Sequence, residues 1–366
     1  MISSEPNLVG VIRLRFDLGR VRFACSPLWE AVTSVRRLAA PSGLHRPWLA
    51  AVQPRLDEVT DMDLLTTVIR PAGYLPDFLH PVPMRREPTF EAQLATLRET
   101  DPERVSAELA HLAQHPVAMP GPGRAQREAA LAEAAAAPEA TLDRLVAALA
   151  AYWRVAIEPH WPSMRALLHA DLTHRLEELA AGGVRQVFRT LHPSVRLHGE
   201  WLHVVKYYDG TADLGDQQVV LIPCVFAWPD VLVRTAEPSP ALTYAPRGVG
   251  KLWESRTPRG RSPLAGVLGA TRAAILTQLD LPMATDHLAV QLDLAAPTVN
   301  VHLKALQEAG LLTSRRAGRH VLYRRTELGD QLCAAASAGQ AGSAAGRPAS
   351  SAVMAGASAS VAAGAR

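Results

Sequence analysis

Residues 295–325 read Ala295-Ala-Pro-Thr-Val-Asn-Val-His-Leu-Lys-Ala-Leu-Gln-Glu-Ala-Gly310-Leu-Leu-Thr-Ser-Arg-Arg-Ala-Gly-Arg-His320-Val-Leu-Tyr-Arg-Arg325. Pro297 suits the first turn of a helix, and Val299, Leu303 and Leu306 then fall at i, i+4 and i+7, one face of a 3.6-residue period. Gly310 is a natural left-handed stop. Leu311 to Arg316 reads as a strand, Ala317-Gly318 as a turn, and Arg319 to Arg324 as a returning strand. Helix, stop and basic hairpin together predict a recognition helix followed by a wing.

The residues upstream supply the partners of that helix. Leu264 to Leu279 places Leu264, Val267, Leu268, Ile275, Leu276 and Leu279 on one broad face, predicting a first helix. Thr285 is placed to N-cap a short second helix whose Leu288, Ala289 and Leu292 turn inward. Asp293 to Ala296 forms the tight turn of a helix-turn-helix. With Val299 facing the core, Val301, Lys304 and Glu308 lie opposite, and Thr298 and Asn300 lie on the flanks. Thr298 and Asn300 can hydrogen-bond base edges, Val301 can meet thymine methyl groups, and Lys304 suits a phosphate. Arg315, Arg316, Arg319 and His320 of the wing can straddle the backbone or enter the minor groove. His302, beside the buried face, reads equally as a DNA contact or a structural histidine.

Charge agrees with this reading. The 366-residue chain carries a net charge of only +3, too small to be a nucleic-acid signal. Its distribution is uneven. Between Arg256 and Arg325 the acids are Asp280, Asp286, Asp293 and Glu308, set against Arg256, Arg259, Arg261, Arg272, Lys304, Arg315, Arg316, Arg319, Arg324 and Arg325.

The stretch Gly269-Ala-Thr-Arg, then Leu288-Ala, Leu292, the run Pro297 to Leu312, and Gly318-Arg-His-Val-Leu-Tyr resembles the ArsR-type winged-helix repressors over about seventy residues. The resemblance implies bacterial transcriptional control, commonly repression, by a homodimer on a near-palindromic operator. Metal-sensing members carry a Cys-x-Cys pair where this chain has Ala284-Thr285-Asp286, and a second family site uses Asp and His in a final helix. No His follows Tyr323 here, so no metal sensing is expected. Ala295 and Ala296 stand where the family often has a capping Ser. The final helix, Glu327 to about Ala336, is short at the place where the family forms its dimer surface.

The chain is long enough for two folded units. Val11 to Phe23 reads as one or two short strands, and Ser26-Pro27 opens a largely helical body that reaches Leu191, with Gly182-Gly183 as the stop of its last helix. Val195–Leu197, Trp201–Tyr207, Val219–Val225 and Leu242–Tyr244 are β-rich runs. The fold class expected is α+β, mostly α: a helical N-terminal domain with a small antiparallel sheet, and a C-terminal winged helix-turn-helix. The boundaries read as 1–253 for the N-terminal domain, 254–263 for a polar linker, 264–333 for the winged helix and 334–366 for an Ala/Gly/Ser-rich disordered tail. Pro27-Leu-Trp-Glu, Gly73-Tyr-Leu-Pro-Asp-Phe-Leu and Tyr244-Ala-Pro-Arg-Gly are similar to stretches of an uncharacterised domain that precedes such winged helices in some GC-rich bacteria. That similarity implies no function; the N-terminal part is read as a sensor or a dimerisation domain.

Cys25, Cys224 and Cys333 form no CxxC, which argues against a disulfide framework or cysteine-only zinc site. No signal peptide or long apolar span is visible, so a cytoplasmic protein without a membrane partner is expected. Tyr152, Trp153, His160 and Trp161 read as interhelical packing, with a ligand pocket as the alternative. His169, Asp171 and His174 lack a thiolate and a convergent spacing. Pro120 to Arg124 lacks the Gly-Lys-Ser/Thr ending of a phosphate loop. With no nucleophile elbow and no dinucleotide fingerprint, neither catalytic residues nor a cofactor are expected. The partners expected are double-stranded DNA, a second copy of the chain and a small-molecule effector. The alternative from another class is a protein-interaction scaffold whose winged helix does not read DNA.

Overall fold

A computed structural model describes residues 10–40, 42–115, 123–206, 208–235, 239–253, 263–279, 282–292, 294–317 and 320–345. The chain opens with β1 (Gly10–Arg15) and β2 (Val21–Phe23), then enters a helical body. That body comprises α1 (Pro27–Ala39), α2 (Arg46–Val52), α3 (Met62–Val68), α4 (Phe90–Arg98), α5 (Pro102–Gln114), α6 (Arg124–Ala136), α7 (Pro138–Tyr152) and α8 (Trp161–Leu191). Local chemistry sets several starts: Ser26 accepts from the Trp29 N–H, Thr89 from Ala92 and Asp101 from Glu103, with Pro27 and Pro102 in first turns.

Six strands follow: β3 (Val195–His198), β4 (Trp201–Lys206), β5 (Gly210–Asp213), β6 (Val219–Pro223), β7 (Leu232–Arg234) and β8 (Ala241–Tyr244). The α+β, mostly helical class is as expected, but the single antiparallel sheet is replaced by two mixed sheets. One has the order β3-β4-β1-β5, with β1 antiparallel to β4 and parallel to β5. The other has the order β2-β6-β8-β7, with β2, β6 and β8 parallel. β1 thus lies between, and β2 at the edge of, strands that come some 200 residues later in the chain. β6 is buried along its whole length, which explains its unbroken Val-Val-Leu-Ile run, whereas β4 alternates about the buried Leu202 and Val204.

The C-terminal part contains α9 (Pro263–Leu268), α10 (Ala270–Gln278), β9 (Met283–Ala284), α11 (Thr285–Leu292), α12 (Ala296–Glu308), β10 (Leu312–Ala317), β11 (His320–Arg325) and α13 (Glu327–Ala345). Two expectations about helix boundaries need correction and one holds. The single first helix is two, because Gly269 adopts φ 81° between α9 and α10. Gly183, at φ 67° and ψ −173°, is non-helical and ends a helix where Gly182-Gly183 is expected to, and a further helical stretch then runs to Leu191. The last helix runs to Ala345, beyond the expected end near Ala336, its Glu327 start supported by Thr326, whose Oγ1 accepts from the Gly329 N–H. Residues 254–262 of the expected linker and 346–366 of the expected tail lie outside the described residues.

One continuous apolar core runs from Leu28 and Trp48 through Ile275, Leu288 and Leu303 to Cys333. The helical body meets the C-terminal part at two short turns. Gly43–His45 packs on α10, and Val249–Lys251 packs on α11. At the second, a side chain on Gly250 would lie 2.2 Å from Gln278 Nε2 and 2.9 Å from the Gln291 carbonyl, so only glycine fits.

Glu30 of α1 is fully buried. It accepts from the backbone N–H groups of Val225 (2.8 Å) and Phe226 (3.4 Å) and from the Cys224 thiol (3.2 Å). It thereby closes the 3-10 turn Val225–Ala227, which the sequence alone extends as strand. Burial pushes its carboxyl from 4.5 up to about 7. Between those values the native carboxyl keeps its proton while the unfolded one has released it, so rising pH favours unfolding. The stability of the wild type relative to Glu30→Gln should therefore be greatest below about pH 4.5 and decline up to about pH 7, by on the order of 3 kcal/mol. Thermal unfolding of both proteins across that range measures this. The buried His45 and His80, whose pKa values burial lowers, have the opposite dependence, but they are common to both proteins. A pH-independent difference would place the proton elsewhere.

Candidate nucleic-acid interface

α12 begins at Ala296 with Pro297 in its first turn, and Ala295 at the N-cap makes no side-chain hydrogen bond. Its end is closed by Gly310 at φ 71°, whose N–H donates to Gln307 O, while the Leu311 N–H donates to Leu306 O. Val299, Leu303 and Leu306 are buried against α10 and α11. That packing decides which side chains face out. Thr298, Lys304 and Glu308 are exposed, Val301 is 63% exposed, and Asn300 and His302 are half-buried. Among the described residues neither Thr298 nor Asn300 makes a side-chain hydrogen bond. His302 Nδ1 is buried without a partner.

The wing is an antiparallel pair, registered from Leu312 opposite Arg325 to Ala317 opposite His320, with β9 alongside β11. Leu312 and Tyr323 anchor its base in the core. Gln307 Nε2 donates to Ser314 Oγ at 3.2 Å, tying α12 to the first wing strand. Arg325 Nε lies 2.7 Å from Asp330 Oδ1 and its Nη1 donates to Leu276 O, so this arginine staples the wing to α13 and α10. Arg315 and Arg316 are exposed on opposite faces of the hairpin. Exposed Arg324 stands opposite Thr313, diagonal to Arg315 on the same face. The structure therefore brings Thr298, Asn300, Val301, Lys304, Arg315 and Arg316 to the surface of one helix-and-wing unit. Arg319 lies outside the described residues, as does the side chain of His320, whose backbone is in β11. Two contributors were missed from the sequence. Arg324 was signalled by strand alternation with Arg315, but nothing local marked Gln307 as the link to the wing.

The remaining sequence candidates resolve into packing. Tyr152 is buried with its hydroxyl 2.9 Å from Ser34 Oγ, Trp153 stacks on Phe90 at 4.3 Å, Trp161 meets Trp153 edge-on, and His160 meets Trp253 edge-on. His169 lies 3.1 Å from Glu87 and His174 3.2 Å from Glu178, whereas Asp171 accepts from the Tyr244 hydroxyl and the Arg247 N–H. These three side chains diverge. Among the described residues no group of three His, Cys, Asp or Glu side chains is placed to hold a metal ion. Residues 120–122 of the expected glycine-rich turn lie outside the described residues; Gly123, at φ 77°, precedes α6. No described helix is long and apolar enough to cross a membrane.

The geometry defines a winged helix-turn-helix joined to a larger α+β body, the arrangement of a DNA-binding regulator. Residues 270–315 match the model of a helix-turn-helix domain. Residues 13–246, well over half of the 366-residue chain, match a family of unknown function, DUF5937, and the chain belongs to that family. No curated protein and no solved structure matches it.

The two sides of α12 should respond differently to truncation. Leu303→Ala should lower stability by about 2–5 kcal/mol, since it empties a fully buried site. Thr298→Ala with Asn300→Ala should change it by no more than about 0.5 kcal/mol for each site, in denaturant unfolding. A large loss in the double variant would show that these polar groups serve the fold.

Proposed function

We propose that this protein is a DNA-binding transcriptional regulator of the ArsR-like kind, a repressor that acts in the cytoplasm as a homodimer and has no enzymatic activity. The observation that carries this reading is the division of α12. Val299, Leu303 and Leu306 are consumed by the core, so Thr298, Val301 and Lys304 are presented to solvent beside a wing that exposes Arg315, Arg316 and Arg324. In this reading α12 enters the major groove with Thr298, Asn300 and Val301 toward base edges. Lys304 and the wing arginines hold phosphates and set the register, with Arg319 and His320 at the wing tip. His302 supports the helix from its flank.

Dimerisation is supported by the resemblance and by one surface feature. Val267 on α9 and Leu328 on α13, helices that pack on each other, leave large apolar side chains 82% and 55% exposed. A twofold dimer would set two recognition helices about one DNA turn apart, roughly 10 base pairs centre to centre.

A gel-shift and footprinting series on the DNA upstream of the coding sequence, run across salt concentrations, tests the reading. Binding to a discrete palindrome should weaken steeply with salt. Lys304→Ala and Arg315→Ala should each flatten the log–log slope by about one, because each removes one phosphate contact. Thr298→Ala with Asn300→Ala should erase the preference for the palindrome while the salt slope stays. If neither upstream nor distant genomic fragments are shifted at low salt, the winged helix is a protein-interaction module instead.

A further inference from the structure

A cavity of about 740 Å³ opens in the N-terminal body, far larger than a packing defect and within the range of small-molecule sites. Its walls come from the end of α1, residues 71–80, the end of α5 and the edge of the second sheet. Two of the stretches that mark the N-terminal domain in the sequence converge on it, Trp29 from one and Gly73 to Asp77 from the other.

Its charges are unbalanced. Four cations, Arg36, Arg37, Lys206 and Arg234, face two carboxylates, Asp77 and Asp230. The carboxylates are engaged, Asp230 by Lys206 at 2.6 Å and Asp77 by Arg234 at 3.7 Å. Arg36 donates to the carbonyls of Pro71 and Gly73. Arg37 makes a single hydrogen bond among the described residues, from Nε to Phe226 O at 3.1 Å. Its two Nη groups are left as a planar fork, the geometry that grips a carboxylate. Burial lowers its pKa to about 10, so it remains charged at neutral pH.

The opposite character comes from rings. Trp29 lies under His80, stacked at 4.5 Å, and Tyr74 stands against His111 at 4.7 Å. His80 is 4% exposed and its Nδ1 has no hydrogen-bond partner. Burial holds its pKa at about 3, so it adds no charge to the wall.

We propose that this cavity binds an aromatic carboxylate, with the carboxylate on Arg37 and the ring against Tyr74 and His111, whose rings are open to the cavity. Its occupancy has a route to the winged helix. Arg37 holds the Phe226 carbonyl, the Phe226 ring packs on His45 at 4.8 Å, and the Gly43–His45 turn packs on α10. This consequence rests on the DNA-binding reading above; the binding itself does not.

Calorimetric titration of the full-length chain with 1-naphthoate tests the site, with neutral 1-naphthamide and inorganic phosphate as controls. Naphthoate should bind at least about tenfold more tightly than either control, because only it satisfies both the fork and the rings. Arg37→Gln should weaken it by a similar factor. Ala72→Trp, at an exposed residue of the cavity wall, should block it while leaving the melting temperature near that of the wild type. No heat at millimolar naphthoate, equal binding of the amide, or unchanged binding in both variants overturns the proposal. A parallel gel shift with naphthoate reads the coupling, so loss of DNA binding and loss of ligand binding are told apart.

Discussion

A buried carboxyl organises this molecule. Glu30 has no access to water, and an unpartnered carboxyl there would be strongly unfavourable. Its needs are met by closing a tight turn on it, so that the Val225 and Phe226 N–H groups and the Cys224 thiol point at its oxygens. That turn then fixes Phe226. Around its ring gather His45 at 4.8 Å, Trp48 at 4.6 Å and Trp253 at 6.2 Å. Segments from three distant parts of the chain are thus held at one point, and the turn bearing His45 continues into the contact with α10.

A second buried polar group does similar work on α8. Arg175 of α8 is fully buried, bonded to Glu178 and Thr190, 3.6 Å from Asp171, and seated over the Tyr244 ring. Asp171 in turn receives the Tyr244 hydroxyl and the Arg247 N–H. The network locks α8 to β8 just before the Val249–Lys251 turn, whose Gly250 lets α11 approach. The winged helix is therefore seated on a body whose polar interior is tied to the same segments that touch it. Buried polar groups of this kind favour one arrangement over its alternatives, because a shift would strand them.

Much of the winged helix was legible beforehand, and the reason is that its signals are local. The spacing of Val299, Leu303 and Leu306, the stop at Gly310 and the strand–turn–strand that follows all act within a few residues. Glycine was less informative. Gly310 ends a helix before a strand, Gly183 separates two successive helices, and Gly269 divides what reads as a single amphipathic run; each has positive φ, and only the surrounding packing tells the outcomes apart. The N-terminal sheets were misread for a different reason. β1 pairs with β4 and β2 with β6 across nearly the length of the domain, and no pattern within either strand names its partner.

The sequence by itself determined which face of α12 is buried, where the wing turns back, and that positive charge gathers in the C-terminal part. These follow from helix and strand periods and turn chemistry, which neighbours along the chain impose. Only the tertiary structure decided that Glu30 closes a turn 195 residues away, that the second domain seats on Gly250, and that Arg37, Trp29, Tyr74 and His80 surround one cavity. Such neighbourhoods exist only once the whole core has packed, because the energy that brings those segments together is spread over the apolar interior and not carried by the residues that finally meet.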